Sequence, residues 1–172
     1  DMDVLSASAN DDTIAWYKND GSGAFTEHII STAVYATYSV TTADVDGDGD
    51  MDVLSTSWND DKIAWYENDG SESFTEHTIT TAANGATSVT TADVDGDGDM
   101  DVLSASFYDD KIAWYENDGS EIFTAHTITT AANAARSVTT ADVDGDGDMD
   151  VLSASANDDT IAWYKNDGSG AF

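Results

Sequence analysis

Cysteine and proline are both absent from the 172 residues. Without cysteine, disulfides and thiolate metal centres are excluded. Without proline, every turn has to be supplied by glycine, asparagine and aspartate. Basic residues are scarce, five Lys and Arg against 35 Asp and Glu, for a formal net charge of −30. That deficit excludes nucleic acid and anionic membrane surfaces as partners, since both are held by a basic face. No apolar run approaches the ~18 residues of a membrane span, so membrane insertion is not expected. The chain opens at Asp1, inside a motif that recurs later, and no leader segment is legible in it.

A charge this one-sided opposes compaction through self-repulsion, so something cationic is expected within the fold. Disorder is the other outcome of high acidity, and the composition excludes it. Five Trp, seven Tyr, five Phe and 40% hydrophobic residues are too much apolar material for a solvated tail.

The organising feature is a repeat. Trp16, Trp65, Trp114 and Trp163 are 49 residues apart, as are His28, His77 and His126, and the chain holds three such units and 25 further residues. No stretch shows a helical period. One unit predicts four short strands: Ser88–Val94 (a), Asp101–Ser106 (b), Lys111–Glu116 (c) and Phe123–Thr129 (d), from period-two alternation rich in Val, Ile, Thr and aromatics. Asn117-Asp118-Gly119-Ser120 predicts a tight hairpin turn between c and d. An acidic turn, such as Asn59-Asp60-Asp61, joins b to c. Four antiparallel strands per repeat describe a β-propeller blade, because such a sheet must stack on a neighbour to bury both faces. The expected fold is all-β, about 3.5 blades, with a linear stack of the same sheets as the alternative. The expected divisions are a partial blade (1–38, strands b-c-d), two blades (39–87 and 88–136) and a partial blade (137–172, strands a-b-c).

The chemistry sits between strands a and b. Each complete unit carries Asp-Val-Asp-Gly-Asp-Gly-Asp-Met-Asp, over Asp44–Asp52, Asp93–Asp101 and Asp142–Asp150. Carboxylates at positions 1, 3 and 5 of a curled turn converge, and glycines at 4 and 6 let the chain curl. Ca²⁺ takes six to eight hard oxygens. In the first loop Asp44, Asp46 and Asp48 would supply side-chain oxygens, Asp50 its carbonyl and Asp52 a closing carboxylate. Asp93, Asp95, Asp97, Asp99 and Asp101 repeat the set, as do Asp142, Asp144, Asp146, Asp148 and Asp150. About three Ca²⁺ per chain are therefore expected. An EF-hand is excluded, because its position-12 glutamate is replaced by Ser55, Ser104 or Ser153 and its helices by strands. Mg²⁺ fits less well, preferring its own waters and a stricter octahedron. A metal-free acidic turn is the competing reading, and five like charges in nine residues, three times over, make it costly.

The segment Ser39-Val40, Ala43-Asp44-Val45-Asp46-Gly47-Asp48-Gly49, Asp52-Val53-Leu54 and the aromatic strand Ile63-Ala64-Trp65-Tyr66 resembles the FG-GAP/VCBS repeat family. The resemblance covers the whole chain and is similar to integrin-α propeller blades. It implies Ca²⁺ in the a–b hairpin, an extracellular or cell-surface setting, and roles in adhesion or in carbohydrate and protein binding. Two departures stand out. The family's Gly-Ala-Pro after strand b is replaced by Ser104-Ala105-Ser106 or Ser55-Thr56-Ser57, and family propellers commonly have seven blades.

Three and a half blades do not close a ring, and open strand edges invite pairing with another chain. Asp1–Phe25 is identical to Asp148–Phe172, which fits a higher-order period of three units. Homo-oligomerisation, or membership of a longer tandem array or fibre, is the expectation. No catalytic constellation stands out. The histidines recur once per blade, as do the strand-c tryptophans, and both suit packing rather than catalysis. Between repeats, residues differ most where b joins c and d joins a, on the face opposite the acidic loops. There Trp58, Phe107, Tyr108, Tyr35 and Tyr38 form a candidate surface for a glycan or protein ligand. The expected function is a non-enzymatic, calcium-dependent structural or adhesive module, with a lectin-like propeller as the alternative.

Overall fold

A computed structural model describes residues 1–172. It is all β, with fourteen strands in four antiparallel sheets. The first sheet holds β1 (Val4–Ser8), β2 (Thr13–Asn19) and β3 (Phe25–Ser31). The second holds β4 (Thr37–Ala43), β5 (Asp52–Ser57), β6 (Lys62–Asn68) and β7 (Phe74–Thr80). The third holds β8 (Ala86–Ala92), β9 (Asp101–Ser106), β10 (Lys111–Asn117) and β11 (Phe123–Thr129). The fourth holds β12 (Ala135–Ala141), β13 (Asp150–Ser155) and β14 (Thr160–Tyr164). Each sheet is a meander of sequential strands. Successive sheets pack through β1 on β4, β4 on β8, and β8 on β12, and the series does not close into a propeller ring.

Strand alternation sets which sheet packs on which. In β6, Ile63 and Trp65 enter the core layer shared with the third sheet. Their neighbours Ala64 and Tyr66 enter the layer shared with the first sheet. In β10, Ala113 and Tyr115 face back toward the second sheet, and Ile112 and Trp114 face forward toward the fourth. The hydrophobic core is therefore three layers, one between each pair of sheets. The central strands β5, β6, β9 and β10 are buried on both sides, while β7 and β11 stay partly exposed.

Three local expectations need correction. Strand a is Ala86–Ala92, not Ser88–Val94, because Val94 has left the ladder to enter the acidic loop. Strand c runs one residue further, to Asn117. The c–d connection is not a tight turn at Asn117–Ser120 but a loop over 118–122, closed by Asp118 N–H donating to Ile122 O at 3.3 Å, with Glu121 at φ 62. The serines that stand in place of Gly-Ala-Pro belong to a strand. Ser55 and Ser57, like Ser104 and Ser106, lie fully buried within strand b.

Candidate functional site

The acidic loops follow β4, β8 and β12. Their glycines take left-handed conformations, φ 77 at Gly47 and 96 at Gly49, which a side chain would resist. Asp44 then accepts from Gly47 N–H at 2.9 Å and Gly49 N–H at 3.1 Å, Asp46 from Asp48 N–H at 3.1 Å, and Asp48 from Asp50 N–H at 2.8 Å. The second and third loops repeat the Asp93 and Asp142 contacts. These bonds engage both oxygens of the first aspartate and one oxygen each of Asp46 and Asp48, and so fix the carboxylates relative to one another. Asp44, Asp46 and Asp48 bring one oxygen each within 4.8 Å of the others, and Asp142, Asp144 and Asp146 do the same. In the second loop the converging set is Asp93, Asp95 and Asp101. Asp97 accepts from Asp99 N–H as its equivalents do, yet lies outside the converging set. The three loops line one open cleft of about 820 Å³, with Met51, Met100 and Met149 on its wall.

Position 7 turns its side chain out of the loop. The carboxylates of Asp50, Asp99 and Asp148 lie over Gly70, Gly119 and Gly168 of the c–d loops, where an added Cβ would meet them at 2.4 to 2.7 Å. Only the backbone carbonyls of these residues remain as donors to the loop interior.

Position 9 is the anchor, and it is fully buried. Asp52 accepts from Val45 N–H at 2.9 Å and Asn68 N–H at 2.8 Å; Asp101 accepts from Val94 N–H and Asn117 N–H at the same two distances. Asp150 accepts from Val143 N–H and Asn166 N–H. Burial pushes Asp101 up to about 7 and Asp52 to about 6, against these hydrogen bonds, with the other loop carboxylates raising both further.

The asparagines join neighbouring loops, a role not assigned to them from sequence. Asn117 Nδ2 donates to Val45 O of the preceding loop at 3.0 Å, and Asn166 Nδ2 donates to Val94 O at 2.6 Å. Val94 N–H in turn donates to Asp101, whose other oxygen accepts from Asn117 N–H. A continuous chain of hydrogen bonds thus runs from Asp150 through Asn166, Val94, Asp101, Asn117 and Val45 to Asp52. Its signal was the 49-residue spacing of Asn19, Asn68, Asn117 and Asn166, read only as turn chemistry.

At the opposite end, Trp58 is the centre of an aromatic cluster. Its ring centroid lies 5.2 Å from Tyr38, 5.2 Å from Phe107 and 5.1 Å from Tyr108. Arg136 places its guanidinium 4.5 Å from the Phe107 centroid. Tyr35 is exposed and makes no ring contact with the others. Tyr108 and Gly85 depart from the repeat together. Tyr108 stands where other units have Asn10, Asn59 and Asn157, and Gly85 where they have Ala36 and Ala134. A Cβ at Gly85 would lie 2.7 Å from the Tyr108 ring, so the smaller residue makes room for the larger one.

The recurring histidines pack. His77 stacks on Trp65 at 4.5 Å and His126 on Trp114 at 4.6 Å, and each ring nitrogen meets Glu67 or Glu116. Trp65 and Trp114 are buried between sheets, which leaves them no face for a ligand.

No curated protein sequence matches the chain. Among solved structures, the biofilm matrix protein Bap1 of V. cholerae is similar, with a TM-score of 0.50 and 19% identity. The match covers 96% of this chain and 30% of that one, and it shows a shared fold. A family model described as FG-GAP-like repeat matches residues 1–55, 46–104, 93–153 and 142–172. With its loops, strands and strand-c aromatics all inside those matches, this chain belongs to the FG-GAP-like repeat family.

Proposed function

We propose that the chain is a calcium-dependent, non-enzymatic structural or adhesive module that works outside the cell and assembles with copies of itself or with further repeats. The observation that carries this is the convergence of three carboxylates in each of three loops, at the one end of the molecule where the repeats are identical. The residues fit a hard divalent ion. Asp44, Asp46 and Asp48, with the carbonyl of Asp50 and the anchor Asp52, would hold it in the first loop, and the equivalent residues in the others. When bound, the ion supplies positive charge that offsets carboxylate repulsion and fixes each a–b hairpin. The protein's own part is to pre-curl the loop with glycines and brace it through Asp52, Asp101 and Asp150.

The family and the biofilm-matrix neighbour support the structural role. Self-assembly draws support from the outer face of β12–β14. Ile161 is 82% exposed and Trp163 47%, whereas their counterparts Ile63 and Trp65 are at most 1% exposed beneath the next sheet. Isothermal titration is expected to show calcium uptake, and EDTA to lower the melting temperature. Absence of uptake would remove the calcium reading.

A second reading, a glycan- or protein-binding surface, is favoured by the Trp58 cluster. Tyr38, Tyr35 and Tyr108 are each more than half exposed around it. Saturable glycan binding that is lost in Trp58→Ala would favour this reading over the purely structural one.

A further inference from the structure

The three acidic loops share one sequence, but the third is the most exposed and the residue at the end of strand c beside each loop differs. Positions 49 residues apart carry Glu67, Glu116 and Lys165. Glu67 and Glu116 lean toward strand d, where they meet His77 at 2.8 Å and His126 at 2.7 Å. Lys165 turns toward the loop. Its Nζ donates to Asp144 Oδ2 and lies 3.1 Å from Asp146 Oδ2. Those two carboxylates, with Asp142, are the converging set of the third loop. The other lysines pair with Glu72, Glu76 and Asp109, so no basic side chain reaches the first or second loop.

We infer that Lys165 sets the cation preference of its loop, making Asp142–Asp150 the weakest divalent-cation site of the three. An ammonium is already seated on two of the three oxygen donors. A divalent ion has to displace it and then sit beside a tethered positive charge. Chemically identical loops are thereby graded by one neighbouring residue, and the chain binds calcium in two steps rather than one. This inference rests on the calcium reading above.

Calorimetric titration with CaCl₂ of the whole chain tests it. Two sites are expected to fill first and a third about two- to fivefold more weakly, the scale of one exposed ion pair that has to be broken. Asp146→Asn should abolish the weak step, and Asp95→Asn should weaken a tight one. Lys165→Glu should bring the third site level with the others, with Lys165→Ala falling between. Because Lys165 is half exposed, neither substitution disturbs the core. A third step untouched by Lys165→Glu, or three equal sites in the unaltered chain, would overturn the grading while leaving calcium binding intact. No uptake at any loop would overturn both.

Discussion

At the scale of single residues, the buried anchors Asp52 and Asp101 carry the sharpest consequence. Both have folded-state values near 6 and 7, above the 3.8 of a free carboxyl. Such a group favours the fold when protonated. Its contribution is complete below the unfolded value and is lost as pH rises through the folded one. In calcium-free buffer the melting temperature should therefore fall as pH is raised from about 5 to about 8. Saturating calcium should flatten that profile, because the ion offsets the charge that ionisation creates. A calcium-free profile that is level over this range would contradict the burial of these carboxyls. At the same scale, the aspartates of the b–c turns have a purely structural task. Asp61 and Asp110, both at φ 54, accept from Gly85 N–H at 2.9 Å and Ala134 N–H at 2.8 Å. Each thereby ties its turn to the connection leading into the next sheet, so not every acidic residue is there for a cation.

Among the elements, strand c shows how one sequence acquires different worth by position. Trp65, Trp114 and Trp163 are the same residue in the same register, opposite Leu54, Leu103 and Leu152. Trp114 is 3% exposed in the layer against the fourth sheet, and Trp163 is 47% exposed on the outer face. Trp114→Ala should cost about 3–5 kcal/mol in denaturant unfolding, as for other large buried aromatics. Trp163→Ala should cost clearly less, since about half of that side chain already meets water. Equal losses at the two positions would mean that the outer face is covered. The strands were legible beforehand because alternation with Val, Ile, Thr and aromatics is a local signal. The ends of strand a and the length of the c–d loop were not. Val94 leaves its ladder because its N–H is claimed by Asp101, and the c–d loop is held open by Asp118 and by the carboxylate of Asp99 lying on Gly119.

For the whole molecule, the open series of sheets leaves an apolar face whose inner equivalents are always covered by another sheet. If the chain self-associates, association should depend on concentration in sedimentation, and Trp163→Ala should weaken it more than it lowers the melting of the single chain. The charge of −30 would set the condition for such association. Chains this acidic repel one another until cations reduce the field, so association is expected to strengthen with calcium.

The amino-acid sequence by itself determined the 49-residue unit, the all-β class, the acidic loops with their glycine curl, and the end of each unit where the repeats diverge. All of these are written in spacing and residue type along one strand or one turn. Only the tertiary structure decided which oxygens converge in each loop, the hydrogen-bond chain from Asp150 to Asp52, the seat of Lys165, and the gathering of Tyr38, Trp58, Phe107 and Tyr108 into one surface. The hydrogen-bond chain and the aromatic surface join residues of different sheets, and the other two join residues separated along one sheet or loop. Their existence depends on how the sheets stack and how far each is turned, which no single repeat encodes.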